Sequence, residues 1–470
     1  MKNFITLLLL FFCLHGYSQE ITVSEPITYR TDDNFDVLGK LKGQYLVFQD
    51  QATIFKIHAL DGNLKEKWTK EIDLEKRRTE VIGIVPTKDD FSILYSFRKK
   101  GELNVRVRRY DPDVNIIDSS TVKIYEKLYV TPNFNVIRSE NKKTLLLYYI
   151  KEQKTIEAIA FDLETMTVLW DKSIRPKDMI YYEDFEQMVI NDDGDLFIIL
   201  KKDNRKSKRD EHHFQIHKVS STGAFSDFKI HMQEHLTYDI HFSFDNRNQQ
   251  LVAAGLYSNK NKGRSNGYFF INIPIENPSN YVSIFEAYQE KFVKNLMGKK
   301  GDVKKGIGDI DVQEIVHRHD GGILMIAERN RKLQRGASRN SPYLSGSLAN
   351  MDYYFDDMFV ISIHPNGETH WKNVLHKRQY SQDDDAIFSS YFLVKTQSSL
   401  RFLFNDEIKQ ENTVSEYVLK GNGKVKRNSV LSTEDQKIQL QFANAMQVAS
   451  DEIIVPSARR NRLKIVKVKY

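Results

Sequence analysis

Eight times along this chain an apolar run meets a tight polar turn and then a second apolar run, and few folds tolerate that pattern. Clear copies are Glu80 to Phe97, turning at Lys88-Asp89-Asp90, and Phe134 to Ile150, turning at Ser139-Glu140-Asn141. Gln187 to Leu200 turns through Asn191-Asp192-Asp193-Gly194-Asp195, and Asp239 to Tyr257 through Asp245-Asn246-Arg247-Asn248. Val312 to Ala327 turns at Asp320-Gly321-Gly322, and Tyr391 to Phe404 at Gln397-Ser398-Ser399. Val37 to Phe48 and Ala443 to Val455 are the first and last copies and the least regular. Two further strands follow most pairs, as in Thr53 to Leu60 with Leu64 to Ile72, or Glu157 to Phe161 with Thr167 to Ile174. Four antiparallel strands per copy is a propeller pattern, whereas a sandwich would hold about seven or nine strands in all. One such sheet cannot bury both faces; a ring of them covers every face.

The reading is therefore all-β, a single eight-bladed β-propeller, with seven blades as the alternative because the end copies are irregular. The last copy runs out after Ala443 to Val448, Ile453 to Ser457 and Arg462 to Val468. Ile21 to Tyr29 is expected to supply the missing fourth strand, which leaves no unpaired edge between first and last blades. The 28 Phe and 23 Tyr suit half-buried pleated strands. One helix is expected, Ile284 to Met297, opening a Lys-rich insertion at about 284–308.

Lys2, the apolar run Phe4 to Leu14, and then Gly16 and Ser18 have the layout of a secretory signal peptide. A run of about 11 residues is short of the ~20 that cross a bilayer. Cleavage near Ser18 would make 1–18 the signal and 19–470 the propeller, exported to the periplasm or the cell exterior, with no membrane span. The single cysteine, Cys13, belongs to that segment. The exported part is then expected to form no disulfide, thiolate metal site or cysteine nucleophile. Phe11-Phe12 stand where a lipid-anchoring signal carries a small residue before its cysteine.

All three tryptophans occupy one place in the repeat, just after the turn between third and fourth strands. They close Ala59-Leu60-Asp61-Gly62-Asn63-Leu64-Lys65-Glu66-Lys67-Trp68, Ala160-Phe161-Asp162-Leu163-Glu164-Thr165-Met166-Thr167-Val168-Leu169-Trp170, and His364-Pro365-Asn366-Gly367-Glu368-Thr369-His370-Trp371. A fourth copy, Val219-Ser220-Ser221-Thr222-Gly223, has Phe228 in place of the Trp. These segments resemble the quinoprotein-like propeller repeat, and the resemblance covers three or four blades. It implies the fold more than an activity. Some members of that superfamily are dehydrogenases carrying pyrroloquinoline quinone, and others bind partner proteins without catalysis. The alcohol dehydrogenases among them carry an adjacent cysteine pair beside the quinone, which 19–470 lacks, so the resemblance points to the non-catalytic branch with no cofactor. The tryptophans are expected to pack between blades.

Four constellations invite chemistry. Asp192, Asp193 and Asp195 around Gly194 look like a calcium loop but lack its closing Glu, and Asp-Gly is what a tight hairpin uses. His212-His213 and His317-Arg318-His319 have no third ligand nearby, and adjacent strand residues point to opposite faces, so these read as surface histidines and no metal is expected. Asp352, Asp356 and Asp357, placed just ahead of a strand Met358 to Ile363, and Asp383-Asp384-Asp385 in the next connection are expected to approach one rim. There, paired carboxylates could serve a glycan-acting enzyme, the alternative function. Tyr343, Tyr353, Tyr354 and Tyr380 flank them and are of the type that contacts sugars.

Net charge is only +6; its distribution says more. In four-stranded blades the first and third turns share one end, and the second turn and crossover share the other. The second turns are basic in five blades: Arg98-Lys99-Lys100; Lys201 to Arg209, with Arg205, Lys206, Lys208 and Arg209; Lys260 to Arg264, with Lys262; Arg329 to Arg339, with Arg331, Lys332 and Arg335; and Arg459 to Arg462. Lys299, Lys300, Lys304 and Lys305 extend that end, while the first and third turns are acidic. A concentrated positive field favours phosphate- or carboxylate-bearing partners, and the expected ones are an acidic glycan, lipopolysaccharide or an envelope protein. Nucleic acid ranks last, because the protein is exported and these loops lack interleaved aromatics. The expected function is a non-catalytic binding scaffold.

Overall fold

The computed structural model describes residues 19–470 except 31, 76–78, 127, 129, 261–262, 336–349, 407, 409–412 and 433–437. The expected signal segment, Lys262 and Tyr343 therefore lie outside the described residues. The chain forms one ring of eight antiparallel sheets. Blades 1 to 7 span 34–72, 80–125, 135–174, 185–231, 236–287, 310–375 and 392–432; blade 8 is built from 446–469 and the N-terminal strands. Within a blade the four strands follow chain order from the axis outward, and first strands of neighbouring blades touch around the ring.

Blade 8 closes the ring as the sequence implies. Glu20–Val23 pairs antiparallel with Arg462–Lys469, setting Ile21 opposite Val468 and Val23 opposite Val466. Ile27 then faces Leu463. Between the two short strands, the Ser24 N–H donates to the Ile465 carbonyl and the Ile465 N–H to Ser24 Oγ, so the edge stays hydrogen-bonded.

Alternation along each strand sends apolar side chains to both faces of a blade, and every inter-blade interface holds one apolar cluster. Blades 4 and 5 share Phe197, Phe214, Phe242 and Phe269, and blades 8 and 1 share Tyr45, Val47, Ile454 and Ile465. The tryptophans serve these seams. Trp170 is buried between blades 3 and 4, and Trp68 packs on the cluster between blades 1 and 2. Trp371 lies on the third turn of blade 7: its indole N–H donates to the Gly421 carbonyl at 3.0 Å, and a Cβ at Gly423, whose φ is +82°, would stand 2.9 Å from its ring.

Three expectations need correction. The apolar start of Ile284 to Met297 is the outer strand of blade 5, Val282–Ala287; only Glu290–Met297 is helical, docking Val293 and Leu296 into the cluster between blades 5 and 6. Arg329, Arg331 and Lys332 are not in a loop. They sit on Ile323–Gln334, which pairs with Met351–Ile363 in a long hairpin projecting past blade 6, and Gln379–Gln382 adds a third strand. Asp352, Asp356 and Asp357 lie within that second strand rather than ahead of it.

Candidate functional site

Turns at one end bond to one another, which fixes the two ends. Arg98 reaches from a second turn to the crossover carbonyl of Leu128 at 2.7 Å, and Arg209 to the Asn259 carbonyl at 2.9 Å. At the other end, first turns link up: the Asn141 N–H donates to Asp192, and the Asp192 N–H to Asn246. Asp192 and Asp195 are thus turn-bracing groups, with Asp195 accepting the Ser221 N–H and pairing Lys218. Among the described residues no group of three or more His, Cys, Asp and Glu is arranged to hold a metal ion.

The basic residues divide by what they already touch. Arg205 and Lys208 both face Asp203, Lys208 also pairs Glu211 at 2.7 Å, and Arg209 lies 3.9 Å from Glu234. Arg264 donates to the Gly306 carbonyl, and Arg331 lies over the Tyr354 ring at 4.7 Å. Arg329 is half-buried, and Lys332 sits near the Tyr353 ring. Lys99, Lys100, Lys206 and Lys260 remain, exposed on the second turns of blades 2, 4 and 5, as do Arg459, Arg460 and Arg462 on that of blade 8, with no ion pair to a described residue. Several of the basic residues neutralise local acids, so fewer of them stand unpaired than their count suggests.

The acidic turns of the opposite end have a structural cause. Asp61, Asp111 and Asp162 open the third turns of blades 1 to 3, each accepting two backbone N–H groups from residues two to four positions on. This is Asx-turn chemistry, and Ser220 does the same work in blade 4. Hydrogen bonds from the turn, first of all from Lys65, hold the Asp61 carboxyl below its usual range. Sign asymmetry between the ends therefore follows partly from which end carries the tight turns.

The structure does bring the acidic rim together, around a cation. Arg335 lies 2.9 Å from Asp352 and 2.5 Å from Asp383, and the Met351 N–H also donates to Asp383. Tyr380 donates to Asp352 and Tyr353 to Asp385. Asp357 faces His376 at 3.3 Å. Tyr353 is buried, and Tyr354 packs against Tyr380 at a tilt of 38° with ring centres 4.9 Å apart, so these rings take part in building the hairpin. The expectation of surface histidines holds for exposed His319 but not for His212. His212 is buried and bonded to the Lys202 carbonyl and the Thr237 hydroxyl, and His317 to Ser243.

Three features escaped the sequence. Beneath the long hairpin, fully buried Lys377 pairs fully buried Glu328 at 2.5 Å. On the first strands that ring the axis, burial raises the carboxyls of Asp36 and Glu314, and brings Asp239 up to about 6. Bulges in those strands, in blades 1, 2, 4, 5, 6 and 8, re-aim side chains there and are invisible in an alternation pattern. Finally, a groove of about 900 Å³ runs along blade 4, lined among others by Tyr182, Gln215, His217, Asp227 and Lys229. Its signal was the polar alternation His213, Gln215, His217 in a strand whose other face is apolar.

No protein-family model and no curated protein matches the chain. Solved structures with a similar course include a europium-containing methanol dehydrogenase, 10% identical, TM-score 0.42, covering 96% of this chain and 93% of that one. An uncharacterized protein of Listeria monocytogenes is 10% identical over 81% of this chain and 90% of its own, with TM-score 0.40. Porphyromonas gingivalis dipeptidyl peptidase 4 is 8% identical, TM-score 0.44; 90% of this chain matches 56% of that one.

Proposed function

We propose that the chain is an exported, non-catalytic binding scaffold of the quinoprotein-like kind, whose second-turn end engages an acidic polymer such as an acidic glycan or lipopolysaccharide. The observation that carries this reading is the set Lys99, Lys100, Lys206 and Lys260: exposed, on one end of the ring, and without an acid partner among the described residues. Ammonium groups held by a rigid scaffold add their fields and attract a polyanion without a shaped pocket. A glycan-acting enzyme is less well supported, because Arg335 already neutralises Asp352 and Asp383.

The test is retention of the folded protein on a sulfated polysaccharide column. Reversing the four lysines to Glu should move elution to clearly lower salt, since exposed charges are screened beyond ~8 Å at physiological ionic strength. Reversing Lys42, Lys65, Lys88 and Lys424 at the opposite end should not. Equal elution of the two variants would remove this reading.

A further inference from the structure

In blade 4 the third strand reads His213-Phe214-Gln215-Ile216-His217, and the fourth carries Asp227-Phe228-Lys229-Ile230-His231. Phe214, Ile216, Phe228 and Ile230 pack toward blade 5. The alternate residues form a polar face turned toward blade 3, with His217 opposite Asp227 and Gln215 opposite Lys229. The apolar cluster between blades 3 and 4 covers the inner strands, and outside it this polar face opens into the groove, walled on its far side by the crossover carrying Ile180 and Tyr182.

His217 is the anomaly. Its side chain is about nine-tenths buried, it lines the groove, and neither Nδ1 nor Nε2 has a hydrogen-bond partner among the described residues. Burial lowers its pKa, so the ring is neutral near pH 7 and offers one donor and one acceptor. Leaving both unsatisfied is costly, and such a group calls for an explanation beyond packing. Around it, Gln215 Nε2 donates to Asp227 Oδ2 at 2.7 Å, and Tyr182 stands 77% exposed. Five Lys or Arg and five Asp or Glu side chains line the groove, so it has no net charge to select an ion. Paired donors and acceptors beside an exposed ring, in a volume within the usual range for small-molecule sites, match a ligand with hydroxyl edges and an apolar face.

We propose that this groove binds an uncharged, hydroxyl-rich ligand, a segment of neutral oligosaccharide. Exposed Asp227 and Lys229 move aside, the His217 nitrogens bond sugar hydroxyls, and Tyr182 stacks on a ring face. This site borders the basic end, sharing Lys201, Lys202 and Arg205 with the second turn of blade 4, and differs from it in ligand chemistry.

Calorimetric titration with neutral tetrasaccharides of glucose, mannose, galactose and N-acetylglucosamine tests it, at about 50 and about 300 mM salt. At least one should bind, with the same affinity at both salts. His217→Phe removes both nitrogens while keeping a ring; it should weaken binding at least about tenfold and leave the urea midpoint unchanged or higher, since an unsatisfied polar group is gone. Tyr182→Ala, at an exposed position, should also weaken binding. The four-lysine reversal should leave it unchanged, which separates this site from the basic end. Binding of none of the sugars, binding that falls steeply with salt, or full affinity in both groove variants would overturn the proposal.

Discussion

At the scale of single residues, the sequence was most legible where one side chain closes one turn. Asp111 accepts the N–H groups of Asp113 and Asn115 and the Asn115 side-chain amide, at 2.8 to 2.9 Å. Asp111→Ala should cost roughly 1 kcal/mol in urea unfolding, and Asp111→Asn, which keeps an acceptor oxygen, much less. Asp239 is the opposite case, since nothing in its neighbourhood of sequence announces burial. Desolvation lifts it to about 6, against the Val312 N–H that stabilises its charge. The folded state therefore binds more protons than the unfolded one between about pH 4 and 6, and this group's contribution to stability is lost as pH rises through 6. Asp239→Asn mimics the protonated form. Its urea midpoint relative to wild type should rise between pH 5 and pH 7, and a constant difference would show that Asp239 titrates normally.

Among the elements, blade 6 departs most from its repeat. Its second and third strands extend to 12 and 13 residues, and the buried pair Glu328 and Lys377 sits beside the register shift between Glu328 and Asn330, at the base of the projecting hairpin. Lys377 also reaches the Phe355 carbonyl and Gln379 Oε1, while Ser390 donates to Glu328. Removing one partner strands the other charge in a dry site. Lys377→Met should therefore cost about 3–5 kcal/mol, whereas Lys377→Met with Glu328→Leu should recover most of that loss in the same unfolding assay. This element was also where the sequence misled. Met351 to Asp357 mixes acids and aromatics without a period-two apolar face, because the hairpin rises beyond the core and its side chains answer to each other. The reading of Ile284 to Met297 as one helix failed for a related reason. A strand on the rim exposes Val282 and Ile284 partially, and its sparse apolar spacing runs into the amphipathic helix that follows. Hairpins wholly inside a blade, with apolar seams on both faces, were legible throughout.

The whole molecule is a closed circle of eight interfaces, and its closure rests on pairing distant in sequence. Lys469 lies opposite Glu20, so the end of the third strand of blade 8 and the start of its fourth are placed as the two arms of an ordinary hairpin whose turn is not covalently joined. That geometry makes two outcomes predictable. Deleting residues 19–28 removes Ile21 and Val23 from the seam of blades 7 and 8 and Ile27 from that of blades 8 and 1. It also leaves Arg462–Lys469 as a bare edge, ready to pair with another chain. The truncated protein should melt lower and associate with rising concentration, as light scattering would register. A circular permutant, in which a short Gly-Ser linker joins Tyr470 to Gln19 and the chain opens between Lys100 and Gly101, breaks no described strand. It supplies the missing turn and opens an exposed one, so it should remain monomeric with a melting temperature close to that of the parent. If the permutant fails to fold while the truncated chain stays monomeric and equally stable, the N-terminal strands are not what closes the ring.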